Sequence, residues 1–436
     1  MVPSVRRYGP ILLAALVAFA ILGDGAVARA TPQDIFGFGA RSPGLAFTGV
    51  SYADDYEAAF LNPAGFARAR RRSINVGLSA GTYQLSLDGE RYPAEASRGM
   101  TIGFVLPLPF GDVLEDRLVL GGGFFTPSSV LLNGTIHLVE TPQFNVLERS
   151  QAAAIQVGLG MDFHDWVDGL RIGVSVSVAA DVIGDIIVRL DETNAFSSVV
   201  ETQLVTAFAP ILGASYDQET WGVGATYRFE LDGKMDLAIV AEDLPIEIPE
   251  FFVGGSVHYD PAALAVEGFW KPIDPLMLVL QVQTRFWNNY PGPQRQVSET
   301  SSHPPDPDYS VTVSPRVAAE WEFVNRRGLA GELRLGYAFE PTPANPAGMV
   351  PALDSMGMPN GDQVALRYLD NHRHVATLGV GLVFDLTDEA RLTFDVFGQL
   401  HVLMARTHDI GATDGAPPLE TTGNLLAGGW VMGLEY

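Results

Sequence analysis

Nucleophilic or metal chemistry in this 436-residue chain would have to centre on eight histidines, because it has no cysteine. A catalytic nucleophile needs a base within hydrogen-bond reach, and zinc needs three or four N, S or O ligands at short spacings. His137, His164, His258, His303, His401 and His408 are scattered singly, and His372 and His374 merely flank Arg373. None stands in a Ser/His/Asp or zinc-type arrangement. Two local patterns do stand out, and both shape backbone rather than move protons. Asn62-Pro63-Ala64-Gly65 cuts off a helical turn almost as it forms, and Gly121, Gly122 and Gly123 interrupt an apolar stretch. The expectation is a chain with no catalytic residue, no metal and no cofactor, whose work lies in the shape it gives to a passage or a surface.

The helical turn lies in "SYADDYEAAFLNPAGF", where Asp54 and Glu57 have capping-box spacing and Tyr56 to Leu61 continue until Pro63 forbids continuation. Beyond it the hydrophobic pattern has period two. "LRIGVSVSVAADV" sets Ile172, Val174, Val176, Val178 and Val182 against Gly173, Ser175, Ser177 and Asp181. "AIQVGLGMDF" and "WGVGATYRF" repeat it, with Gly158, Gly160, Gly222 and Gly224 on the small or polar face. Such alternation predicts strands with one apolar face. The predicted strands are 73–87, 98–108, 116–126, 150–163, 170–189, 203–216 and 220–230, then 261–270, 276–288, 311–323, 329–340, 373–385, 391–405 and 425–436.

Arg6 and Arg7 ahead of "ILLAALVAFAIL", with Ala28-Arg29-Ala30 after it, predict a secretory signal peptide over 1–30. Removing Arg6, Arg7, Arg29 and Asp24 from 27 basic and 51 acidic residues leaves 24 against 50, a mature charge near -26. That balance argues against nucleic acid as a partner. A disulfide-stapled secreted domain is excluded by the absence of cysteine. An exported chain that is 47% hydrophobic yet has no other long apolar run must distribute its hydrophobicity through the strands.

A soluble sandwich or a transmembrane barrel would both use such strands, and the connections separate them. HDWVDG, DQET, KPIDP, NRRG and LTDEA are short turns, alternating with long loops such as "PGPQRQVSETSSHPPDPDYS". Short turns on one side, long loops on the other and an even strand count mark an outer-membrane barrel. Five of the six tryptophans fall at or near predicted strand ends, as an interfacial girdle requires. The predicted fold is therefore all-β, a transmembrane antiparallel β-barrel of about 14 strands (73–436). Residues 31–72, apolar and Gly-rich but without strands, form an N-terminal plug in its lumen. The predicted location is the outer membrane of a Gram-negative bacterium, with membrane lipids and the barrel-assembly machinery as partners; the carboxy-terminal Tyr436 suits a signal read by that machinery. The cluster Arg68, Arg70, Arg71 and Arg72 marks the solvated junction of plug and barrel, or else an anionic headgroup site.

Over most of the mature chain the sequence resembles the FadL-type outer-membrane transporters of long-chain fatty acids and aromatic hydrocarbons. The resemblance rests on "GARSPGLAFTGVSYADDYEAAFLNPAG", similar to that family's hatch with its Asn-Pro-Ala motif, on "LVLGGGFFTPSS", similar to its third strand, on "VQTRFWNNYPGP", and on "LRLGYAFEPTPANP" with "YLDNHRHVATLGVGLVFDL". "EPTPANP" departs from the family's usual Ser-Pro-Val-Pro-Asp, and Asn371 and His372 interrupt the charges around Asp370 and Arg373. The resemblance implies passive uptake of a hydrophobic molecule, hatch-gated by Asn62, Pro63, Ala64 and Gly65, with lateral release into the membrane where the third strand kinks. Glycines inside a strand signal a bend or a close backbone approach, so Gly121 to Gly123 are the candidate gate; fitting the barrel's curvature is the alternative. The rival functions are a non-transporting scaffold or assembly barrel, and an outer-membrane enzyme.

Overall fold

The computed structural model describes residues 33–110, 117–127, 143–144, 154–190, 196–242, 251–290, 309–345, 349–353, 358–365, 368–409 and 418–436. The predicted signal peptide, residues 31 and 32 and the middles of several long loops lie outside the described residues.

Period-two alternation has the expected result: fourteen antiparallel strands closed into a barrel. They are β1 (Ser73–Leu87), β2 (Ser97–Pro107), β3 (Leu118–Pro127), β4 (Ala154–Asp162), β5 (Leu170–Leu190), β6 (Phe196–Asp217) and β7 (Trp221–Arg228). The second half comprises β8 (Ala263–Ile273), β9 (Leu276–Arg285), β10 (Thr312–Arg326), β11 (Leu329–Glu340), β12 (Arg373–Asp385), β13 (Arg391–His408) and β14 (Leu419–Glu435). β14 closes on β1 without a register shift from Ser73↔Glu435 to Leu87↔Thr421. Arg72 and Tyr436 extend the seam by exchanging both backbone hydrogen bonds, at 3.1 and 2.9 Å. Closure leaves none of the fourteen barrel strands as an edge, as a strand structure in hydrocarbon requires.

The apolar residues of the alternation face outward. Ile74, Val76 and Leu78 on β1, Val157 and Leu159 on β4, Leu280 and Val282 on β9 and Leu426, Met432 and Leu434 on β14 are exposed. The turns 163–169, 218–220, 274–275, 327–328 and 386–390 lie at one end with Tyr436, and the long connections leave from the other. Trp166, Trp221, Trp270 and Trp321 are exposed near the short-turn end, where Trp221 and Trp270 are cross-strand partners. Trp287 is the exception: it is buried at the long-loop end among Tyr259, Tyr290 and Tyr309, with ring centroids 6.0 to 6.1 Å away.

The structure extends the predicted strands at the long-loop end. β6 starts at Phe196 instead of Gln203, β13 runs to His408, and β14 starts at Leu419 instead of Leu425. A hairpin of Leu231–Glu242 and Phe251–Asp260, outside the predicted strands, adds to the sheet there. Its first strand runs parallel to β5, pairing Met235↔Val182 through Glu242↔Arg189. Beyond the hydrocarbon band the outward face meets water instead of lipid, so in "LETTGN" Glu420, Thr422 and Asn424 stand outward and the alternation that marks a strand is lost.

Candidate functional site

Residues 33–72 lie against the buried faces of the strands. They form three single helical turns, α1 (Gln33–Phe36), α2 (Arg41–Gly44) and α3 (Ala58–Leu61), followed by a 3-10 segment, Pro63–Arg68. The predicted capping box at Asp54 and Glu57 does not form. Glu57 instead caps α2, accepting from the backbone N–H of Ala40, Arg41 and Ser42 at 2.8, 2.9 and 2.9 Å. Asp54 pairs with Arg41 at 3.1 Å. A carboxylate at the N-terminus of a neighbouring turn satisfies three orphan donors where its own turn offers fewer. Nothing in the local spacing signals a partner 16 residues away.

Asn62 is fully buried. Its Oδ1 accepts from Ala64 N at 3.1 Å, and its Nδ2 donates to the carbonyls of Val50 at 2.6 Å and Ala214, on β6, at 3.0 Å. Pro63, which lacks an N–H, opens the 3-10 segment where no donor is needed. Asn62-Pro63-Ala64 is thus a clasp that joins two parts of the plug to the wall.

Glycines make its seat. Gly160 of β4, Gly173 of β5 and Gly213 of β6 are successive cross-strand partners, a row of three bare backbones. A methyl group on Gly160 would come within 2.6 Å of the Pro63 carbonyl oxygen. On Gly173 it would meet Pro63 C and Ala64 N, and on Gly213 the Asn62 Oδ1, at distances no side chain tolerates.

The plug's polar anchors lie almost wholly on β5 to β13. Ser175 donates to Ala59 O at 2.7 Å. Glu267 of β8 accepts from Gly49 N, Ser51 N and Ser51 Oγ at 2.8, 2.7 and 2.6 Å. Arg41 reaches Glu320 of β10 at 2.7 Å, and Gln399 of β13 donates to Phe36 O and Pro43 O at 3.0 and 3.1 Å. Thr377 of β12 accepts from Ala46 N at 3.0 Å and donates to Gly44 O at 2.9 Å. That bond holds Ala46 and Phe47 at φ of 53° and 64°, the left-handed region that non-glycine residues avoid. These anchors are inward charges and amides in the middle of strands, and the sequence reading did not single them out.

Toward β1 to β3 the contacts are of another kind. Phe36 lies over Gly81, Tyr56 over Gly103, Phe66 over Gly121 and Phe38 over Gly123, rings against bare backbone. The anchoring hydrogen bonds described above all join the plug to other strands. Gly121 to Gly123 lie in continuous ladders, paired with Val105, Phe104 and Gly103 on β2 and with Gly158, Val157 and Gln156 on β4. Asn62 bonds to β6, not to this strand.

No family model matches this sequence, and no curated protein matches it. Solved structures do. The barrel is similar to that of a Pseudomonas aeruginosa FadL homologue, at 13% identity, TM-score 0.56, covering 94% of this chain and 99% of the other. It is also similar to the Pseudomonas putida toluene transporter TodX, at 14% identity, TM-score 0.53, covering 94% and 99%. The fold is that of the FadL-type channels.

Below the plug, at the short-turn end, this FadL-type barrel opens into a basin of about 980 Å³. Its lining includes five cations, Arg41, Arg68, Arg70, Arg171 and Lys271, and five carboxylates, Asp54, Asp162, Asp168, Asp217 and Glu219. Arg68 bonds Asp217 at 3.0 Å and the carbonyls of Ser51 and Ala53 at 2.7 and 3.2 Å, and Arg171 also pairs with Asp217. Arg70 lies 3.5 Å from Asp162, and Arg71 donates to Glu389 O at 2.8 Å. The arginine cluster therefore ties plug to barrel ends. Beside it, burial and the neighbouring Asp54 push the Asp55 carboxyl up to about 7. His372 and His374 diverge: the first accepts from Thr342 N at 3.1 Å, the second meets the Tyr337 hydroxyl at 2.7 Å. Among the described residues no three metal-ligating side chains converge.

Proposed function

We propose that this chain is an outer-membrane channel for the passive uptake of hydrophobic molecules, gated by residues 33–72 and released sideways past β3. The observation that carries the reading is the seam toward β1 to β3. Aromatic rings resting on glycines can be displaced by an apolar solute without breaking a hydrogen bond, whereas elsewhere the plug is bonded to β5, β6, β8, β10, β12 and β13. Two further points support it. The basin beneath the plug is charged on all sides and repels an apolar solute. The hydrocarbon outside β3 attracts one, by roughly 0.8 kcal/mol for each CH₂ transferred from water. The proteins named in the structural comparison include a toluene transporter, so a small aromatic or an alkyl chain is the substrate class to test first.

A specific observation favours a second reading, a non-transporting scaffold barrel: Gly121 to Gly123 are paired on both sides, so β3 shows no gap. A disulfide separates the two. Phe124 and Ile155 are cross-strand partners on β3 and β4, at a separation a disulfide can bridge, in a chain with no other cysteine. The channel bearing Phe124→Cys and Ile155→Cys should take up a labelled hydrophobic solute when reduced and stop when oxidised. Uptake that is equal in both states rejects lateral release between β3 and β4. A channel that conducts nothing in either state, nor as the wild type, supports the scaffold.

A further inference from the structure

The seam contains polar groups that no packing argument explains. Gln156 of β4 is 1% exposed, and neither atom of its amide has a hydrogen-bond partner. It occupies one register row with Gly103 of β2, Gly123 of β3 and Ser177 of β5. Over Gly103 lies Tyr56, itself 1% exposed, whose hydroxyl is likewise without a partner. Over Gly123 lies Phe38, edge-on to Tyr56 with centroids 5.4 Å apart. The row therefore reads as two glycines under two rings, with a bare amide at the next position. Buried polar groups are nearly always paired, and an unpaired one is a standing cost. A leucine would fill the same volume at no such cost, so the amide calls for a partner that arrives from outside.

We propose that Gln156 is the specificity contact of the seam, hydrogen-bonding a neutral hydroxyl on the passing molecule, so that the channel favours phenols and apolar alcohols over bare hydrocarbons. The inference rests on the uptake reading above and names the substrate class for it. When the Phe38 ring leaves its seat, it vacates a space the size of a phenyl group. That space is floored by the Gly123 backbone, flanked by Phe125 two residues along the same face, and headed by the row partner Gln156. The fit is to a ring or slender chain with one polar end. An amide offers a donor and an acceptor together, and a hydroxyl complements both. A carboxylate only accepts, and would face the amide oxygen without a proton to share.

The test compares toluene with p-cresol, the same methyl-bearing ring with and without a hydroxyl. Initial uptake is measured in cells carrying the full-length channel and corrected for cells without it. The wild type should favour p-cresol over toluene by about three- to tenfold more than Gln156→Leu does, the worth of one net hydrogen bond. Toluene uptake by the variant should be unchanged or faster. Gln156→Met serves as a second isostere, and heat-modifiable mobility confirms that each barrel is folded. The unfolding temperature of Gln156→Leu should equal or exceed that of the wild type; a merely structural glutamine would lower it. An unchanged p-cresol to toluene ratio in both variants overturns the assignment. If the wild type takes up neither compound faster than cells without the channel, the uptake reading itself falls, and the assignment with it.

Discussion

Consider a single methyl group added at Gly173, in the centre of the glycine row that seats Asn62-Pro63-Ala64. The new Cβ would overlap Pro63 C and Ala64 N, and neither is a side-chain end that can swing away. Restoring an ordinary contact of about 3.5 Å requires the clasp to retreat by roughly 1 Å. The Asn62 bond to Ala214 O starts at 3.0 Å and does not survive that shift. Overpacking costs about 1–3 kcal/mol, and each buried group left unpaired about 1–3 kcal/mol more. The sum, about 2–6 kcal/mol, shifts plug docking by roughly one and a half to four powers of ten. The barrel itself loses nothing, since replacing glycine in a strand by alanine stabilises it by about 0.5–1 kcal/mol. Gly173→Ala should therefore assemble with normal heat-modifiable mobility yet show raised conductance in planar bilayers and admit hydrophilic antibiotics that the wild type excludes. Gly398→Ala is the control, because an added methyl there meets nothing within 4 Å. Wild-type conductance from a well-assembled Gly173→Ala channel would refute the claim that the glycine row seats the plug.

Two further outcomes follow from the same geometry. The Asp55 carboxyl, pushed by burial and the neighbouring Asp54 up to about 7 and facing also Asp395 and Arg41, holds its proton more tightly in the docked plug than in the free one. Its contribution to docking should be full below about pH 4 and be lost as pH rises toward about 7, because the native state binds the extra proton across that window. Hydrogen exchange of plug amides at pH 5 and pH 8 measures this, and Asp55→Asn, which can still accept from Glu57 N, should flatten the difference. For orientation, cysteines at Asn289 and Asn325, near opposite barrel ends of a cysteine-free chain, should be labelled on intact cells at Asn289 alone; labelling at both sites contradicts the orientation.

The barrel was legible in the sequence because hydrocarbon imposes alternation: β1, β11 and β12 have the very ends that period two predicts. Where strands leave the membrane the constraint lapses, and the hairpin of Leu231–Glu242 and Phe251–Asp260 escaped detection. The small faces of β4, β5 and β7 were visible as runs of Gly and Ser, but their purpose was not. Register decides that Gly160, Gly173 and Gly213 share one row, and register between strands is set by turns and by β6, whose start is not marked. Glu57 was visible as a cap and went to the wrong helix, since a carboxylate with three donors in reach outcompetes the local turn. Glu267, Thr377 and Gln399 carried a weaker signal, single polar residues on an inward face, which becomes meaningful only when a second segment is known to press against it.

The division of the wall into two kinds of surface bears directly on how such a plug can move. A segment bonded all round would have to break many buried hydrogen bonds together, each leaving a group that costs about 1–3 kcal/mol unpaired, and would stay shut. A segment packed all round by rings would slide freely and hold no register. Here Glu267, Glu320, Thr377 and Gln399 fix the plug against β8, β10, β12 and β13, while Phe36, Phe38, Tyr56 and Phe66 rest on glycines of β1 to β3. Displacing such a ring about its χ angles costs packing but breaks no side-chain hydrogen bond. On the proposed reading the ring side opens transiently while the bonded side keeps the plug in place. Inside the barrel a passage of this form is about one ring wide, its width set by the glycines under the rings, and the proposed exit then requires β3 and β4 to part.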